Sequence, residues 1–190
     1  NSLDEYTITS LLIQGGPIDI FGVGERLITS KSDPVFGAVY KIASIEKDGM
    51  WEPRIKISES VEKITNPGLK KVYRVYNDKG RAIADLLTLL REVPDTEEPY
   101  RYIDPEQPWR ELYFENCTFK EMKQLIIKDG KLVVDLPTLE EIRAYVQDQL
   151  ANEIWPEEQR FENPHRHYLD MSPSYYQLKM DLLNRIYRKK

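Results

Sequence analysis

The sequence predicts an α+β chain in which antiparallel hairpins follow an opening helix and give way to helices at the end. Three observations carry this. Residues 3–14 show a helical apolar period, from Gly37 the period changes to two and hairpin turns recur, and from Thr138 the helical period returns behind a capping pattern.

In order along the chain, Ser2-Leu3-Asp4-Glu5 has the spacing of a capping box, Ile8, Leu11 and Leu12 repeat on one face, and Gly15-Gly16 supplies a left-handed stop. These predict a helix over 3–14. After Pro17 the run Ile18-Asp19-Ile20-Phe21 is short enough for a buried strand, and Gly22-Val23-Gly24-Glu25-Arg26-Leu27 follows at once. Val39 to Ile45 and Arg54 to Ser58 alternate around Asp48-Gly49, and Val72 to Tyr76 and Ala82 to Thr88 around Asp78-Lys79-Gly80, which predicts two hairpins. Between them a basic cluster surrounds the turn Pro67-Gly68. Residues 91–110 carry four prolines and several acids, and read as a long connection tacked down by Tyr100, Tyr102 and Trp109. A third hairpin, Leu125 to Ile127 with Leu132 to Val134, precedes a helix that starts at Thr138-Leu139-Glu140-Glu141 and buries Leu139, Ile142, Tyr145, Val146 and Leu150. A kinked stretch through Pro156 and Asn163-Pro164 then leads to Ser172-Pro173, cap and first residue of a last helix to about Ile186. The segments that result are 1–36, 37–110 and 111–190.

Composition narrows the function classes. With 27 basic and 32 acidic residues the net charge is -5, which argues against a nucleic-acid-coating surface. No apolar run approaches the roughly 18 residues of a membrane span. The single cysteine, Cys117, allows no internal disulfide, reads as a packed side chain, and fits a reducing, cytoplasmic compartment. Asn1 is not a start methionine, so further residues are expected upstream.

Few residues suggest chemistry on spacing alone. Gly22-Val23-Gly24 after a strand offers unpaired amides to a phosphate, yet it reads equally as a structural turn. His165 and His167 would share one face of a strand, but no third ligand lies at a metal-site interval, so packing explains them better and no metal site is expected. Glu140-Glu141 and Glu157-Glu158 read as first-turn helix acids, and Trp155, Tyr175 and Tyr176 as core or interface aromatics.

Four stretches together resemble the bacterial nicotinate phosphoribosyltransferases. They are Leu3-Asp4-Glu5 through Ile18-Asp19 to Phe21-Gly22-Val23-Gly24; Gly37-Ala38-Val39-Tyr40-Lys41; Lys63-Ile64-Thr65-Asn66-Pro67-Gly68 with Lys71-Val72-Tyr73-Arg74; and Leu136 to Arg143 with Arg160, Asn163-Pro164-His165 and Ser172. In one departure, Glu25 stands where the family usually has threonine. The resemblance implies the C-terminal portion of such an enzyme, which displaces pyrophosphate from phosphoribosyl pyrophosphate by nicotinate, with ATP hydrolysis coupled through a phosphohistidine that would lie upstream of Asn1. No catalytic residue is therefore expected here, and the chain alone is expected to be inactive.

On the same resemblance, residues 1–36 would be the last helix and strand of an irregular α/β barrel, 37–110 an antiparallel sheet domain with its linker, and 111–190 a C-terminal hairpin with helices. Gly22, Gly24, Glu25 and Arg26 would meet the 5-phosphate of the phosphoribosyl group. Asn1 would approach the ribose hydroxyls, and Lys56, Lys63, Lys70 and Lys71 would meet pyrophosphate or ATP phosphates across a homodimer interface, unless these lysines are simply solvated. Mg²⁺ and ATP would be held mainly by the upstream part. A stand-alone, non-catalytic phosphate-binding or dimerisation module is the alternative.

Overall fold

The computed structural model describes residues 2–35, 37–60 and 63–188. These fall into two compact units, one up to Tyr40 and one from Lys41 onward.

In the first unit, α1 (Glu5–Ile13) is capped by Asp4, whose carboxylate accepts from the Thr7 amide at 2.8 Å. The capping residue is therefore not the Ser2 that the pattern suggested, and Ser2 lies at a positive φ of 56°. Gly15, at φ 74°, ends the helix as expected, because only glycine takes that conformation without a steric penalty. Residues 18–21 form no strand, and Ile20 is exposed. The reason is topological: a buried strand must exchange hydrogen bonds with neighbours, and none of the described residues pairs with this run. A single helical turn, α2 (Glu25–Ile28), follows Gly24.

The second unit opens with β1 (Ser44–Lys47) and β2 (Met50–Pro53), paired around Asp48 and Gly49, both at positive φ. The turn is where the Asp-Gly pair puts it, but the strands hug it more closely than the alternation implied. The central hairpin is β3 (Lys70–Tyr76) with β4 (Ala82–Leu89). Its turn is closed by Asn77, whose side-chain oxygen accepts from the amides of Lys79 and Arg81 at 3.0 Å. Then come β5 (Tyr100–Tyr102), β6 (Leu112–Phe114), β7 (Thr118–Glu121), and the short pair β8 (Ile127–Lys128) and β9 (Lys131–Leu132). After α3 (Leu139–Asp148) a π-helical turn, Gln149–Glu153, leads to β10 (Leu169–Met171) and α4 (Pro173–Tyr187).

The main sheet has the order β10-β4-β3-β7, with β10 parallel to β4 and the other pairs antiparallel. It takes strands from both the 37–110 and the 111–190 segments. Alternate residues give it two apolar faces. Tyr73, Val75, Ala84 and Leu86 pack with Phe114 and Cys117, where the β5–β6 pair covers the sheet and the Tyr102 and Phe114 rings stack 3.9 Å apart. Leu87 packs on the other face with Met171 and Tyr175 of α4. Ser172 caps α4 as the sequence predicted, accepting from the Tyr175 amide at 3.1 Å. Tyr175 is fully buried and donates to the Pro67 carbonyl at 2.9 Å.

Four expectations need correction. Part of the 91–110 connection is strand β5, and Trp109 is exposed instead of anchoring it. The predicted buried face of α3 lies open, with Leu139 66% exposed, because no other element of the described residues covers it. Its capping box is nonetheless present, with Thr138 and Glu141 bonded reciprocally. His165 and His167 lie on irregular backbone, and Glu157 and Glu158 sit in a turn that begins no helix.

Candidate functional site

The glycine turn of the first unit can be built atom by atom. Gly24 precedes α2 without any side-chain cap, and its carbonyl accepts from the amides of Leu27 and Ile28 at 3.1 Å. The amides of Glu25 and Arg26 are the first of the helix and so have no carbonyl within it to meet. A β-carbon placed on Gly22 or Gly24 meets nothing within 4 Å. Arg26 forms an ion pair with Asp4, so its charge also ties the turn to the cap of α1. The hydrogen bonds from Thr7, with Arg26 beside them, hold the Asp4 carboxyl below its usual range. Asn1 lies outside the described residues.

The four lysines differ in how they are held. Lys70 is half-buried and donates to the carbonyls of Asn66 at 2.8 Å and Gly68 at 3.2 Å; burial, with Lys123 nearby, pushes its pKa down. Lys71 bonds Tyr73 Oη and pairs with Glu121, both at 3.2 Å, and these contacts raise its pKa. Lys56 and Lys63 are exposed. The backbone near them is held by Thr65, which bonds both backbone groups of Lys56 at 3.3 Å.

A charged cluster that sequence reasoning missed lies at the β10 end of the sheet. Arg74 and Asp85 face each other across β3 and β4 and make two hydrogen bonds, at 3.0 and 3.3 Å. His167 sits against Asp85, with Nε2 3.5 Å from Oδ1 but outside hydrogen-bonding geometry, while Nδ1 meets Glu158 at 3.0 Å. Asp85 and then Glu158 raise the His167 pKa against the effect of burial. For Asp85 burial works upward, yet His167 and Arg74 prevail and lower it. The signal for the Arg74 and Asp85 pair was in the hairpin register; that for Glu158 and His167 needed the fold of residues 154–168.

One strand residue further on, Asp170 is 4% exposed, and burial, with Asp104 adding to it and His167 opposing, pushes its pKa up to about 7. Cys117 is buried and its thiol pKa is raised by burial, as befits a packed side chain. Among the described residues no group of three or more His, Cys, Asp and Glu is arranged to hold a metal ion, and no helix is long and apolar enough to cross a membrane.

Comparison with known proteins adds three findings. The model of the nicotinate phosphoribosyltransferase C-terminal domain matches residues 69–179. Nicotinate phosphoribosyltransferase of Bacillus subtilis is 36% identical over 98% of this chain, and that of Caenorhabditis elegans 35% over 93%. This chain spans 38% and 31% of those two proteins. Among solved structures, human nicotinic acid phosphoribosyltransferase superposes with a TM-score of 0.57 at 25% identity, over 62% of this chain and 23% of the human one.

Proposed function

The chain belongs to the nicotinate phosphoribosyltransferase C-terminal domain family, and from this membership we propose that it is the C-terminal part of an enzyme that joins nicotinate to phosphoribosyl pyrophosphate with ATP hydrolysis, in NAD synthesis. The family match over residues 69–179, continued by identity along nearly the whole chain, carries the reading. Residues 1–36 then end the enzyme's α/β barrel. The 37–110 segment is the antiparallel sheet domain with its linker and 111–190 the C-terminal hairpin with helices, and the two share one sheet. The enzyme works in the cytoplasm as a homodimer.

In that setting the chain's own groups bind and position. The amides at Gly22, Gly24, Glu25 and Arg26 hold the 5-phosphate, as the uncovered amides at a helix start can, while the Arg26 guanidinium, paired with Asp4, holds the turn in place. Because α2 is a single turn, its dipole adds little, and direct hydrogen bonds do the holding. Of the lysines, Lys56 and Lys63 are the ones free to reach a second phosphate, since Lys70 and Lys71 are engaged within the fold. Mg²⁺ and ATP, which the family membership implies, are held mainly by the upstream part of the enzyme.

The test uses the complete enzyme. Gly24→Val should raise the KM for phosphoribosyl pyrophosphate at least roughly tenfold, the loss expected from one or two charge-assisted hydrogen bonds at about 1.5–3 kcal/mol each. Open space around Gly24 means that the fold should survive, which a melting curve checks. An unchanged KM in a folded variant would make Gly24 a structural turn only. Glu25→Thr should leave KM the same or lower, because it removes a negative charge while keeping the amide.

A further inference from the structure

Two positive features meet at the start of α1. The helix opens with amides that carry partial positive charge, and the Arg26 guanidinium arrives at the same place from 22 residues further along the chain. Alone, the two would repel. Asp4 joins them with its oxygens divided: Oδ1 accepts from the Thr7 amide at 2.8 Å, and Oδ2 pairs with Arg26 Nη1. The Asp4 side chain is 13% exposed and that of Arg26 35%, so the pair is partly sheltered from water.

The glycine turn has little of its own to fix it in place. Residues 14–24 form no helix or strand, and a β-carbon on Gly22 or Gly24 would meet nothing within 4 Å. A helix of one turn, such as α2, is not stable by itself. Of its four residues Glu25, Leu27 and Ile28 are exposed, and Arg26 alone is partly covered. The backbone hydrogen bonds around α2 join residues 24–33 to one another, so they shape the turn without placing it. Amides that must converge on one phosphate need a fixed reference, and the ion pair with Asp4 supplies one.

We propose that Asp4 is a positioning residue for the phosphoribosyl 5-phosphate: its carboxylate, held by the first turn of α1, anchors Arg26 and through it aims the amides of residues 22–26. This role rests on the reading that the turn holds that phosphate. Asp4 itself does not touch the ligand. Its charge matters more than its shape, because asparagine caps a helix as well as aspartate does and can accept from the Thr7 amide, yet cannot neutralise Arg26. The guanidinium would then face the positive end of α1 uncompensated. Asp4→Asn therefore separates the two duties of the side chain, whereas Asp4→Ala removes both.

The test compares these variants, Arg26→Gln and Gly24→Val in the complete enzyme. Asp4→Asn should raise the KM for phosphoribosyl pyrophosphate roughly three- to tenfold and change kcat less than about twofold, since the phosphate is held alike in ground and transition states. Its Tm should match the parent's, while Asp4→Ala should show the same KM with a lower Tm. Arg26→Gln keeps the backbone amide and should match Asp4→Asn, and the double variant should be no worse than either, because both remove one interaction. The proposal is overturned if a folded Asp4→Asn enzyme keeps the parent's KM while Gly24→Val raises it, if kcat falls without a rise in KM, or if the two single effects add in the double variant. An unchanged KM in a folded Gly24→Val enzyme would remove the phosphate site itself, and this role with it. Should Asp4→Asn fail to fold, Arg26→Gln decides by the same criteria.

Discussion

His167 shows how one side chain can set the pH response of a loop. Its folded pKa lies above the ordinary 6.5, so the imidazolium's contribution to stability is fully present below about that pH. It is lost as pH climbs through the folded value, when the neutral ring no longer attracts Asp85 and Glu158. His167→Gln should therefore lower Tm most at about pH 6 and progressively less toward pH 9. A gap that stays constant over that range would mean that the ring acts by packing alone. The cluster was half legible in the sequence. Arg74 and Asp85 follow from a hairpin whose turn was correctly placed, whereas Glu158 and His167 meet only because residues 154–168 fold back on the sheet, and no periodicity encodes such a return.

At the scale of elements, local signals proved reliable where they were chemically specific. Ser172-Pro173 predicted the start of α4, and Thr138 with Glu141 that of α3, because capping satisfies particular amides wherever the helix ends up. Burial was harder to read, since an apolar stripe such as Leu139, Ile142 and Val146 states what a helix can bury and says nothing about whether a partner is there. Strands β7 and β10 escaped notice for a related reason: at three or four residues they are too short to show a period, and long-range pairing creates them. Ser172 joins the two levels. Its hydroxyl caps α4 and donates to Glu92 at 2.7 Å, while Glu92 in turn accepts from the Leu89 amide at 2.6 Å. Ser172→Ala should cost about 2 kcal/mol or more, from the cap and the charge-assisted bond together, and lower Tm by at least roughly 4 °C. Calorimetry that finds less than half that shift would show the network to be replaceable by water.

At the scale of the whole chain, the apolar surface is conspicuous. Ile13, Ile20, Ile28, Val39 and Tyr40 are each more than 75% exposed, and the residues around α3 add to them. Large apolar patches in water associate. Sedimentation of the purified chain at micromolar concentration should show self-association that weakens with dilution, and a clean monomer would contradict this. The glycine turn at residues 22–24 was legible as a motif, but the strand expected before it was not formed, because none of the described residues pairs with that run.

The parallel pairing of β10 with β4 has a consequence in time. Leu169 pairs with Asp85, and everything between them must be made before the two can meet. At about 5–20 residues per second of synthesis, β4 waits on the order of 5–15 s with one edge unpaired. During that interval its hairpin with β3 can already exist, since its turn is local, but the face that α4 covers cannot close. Folding of the second unit is thus gated by β10 and α4, and the nascent chain passes through a stage in which the strand with the most buried residues is also the most available to a chaperone or to a neighbouring chain.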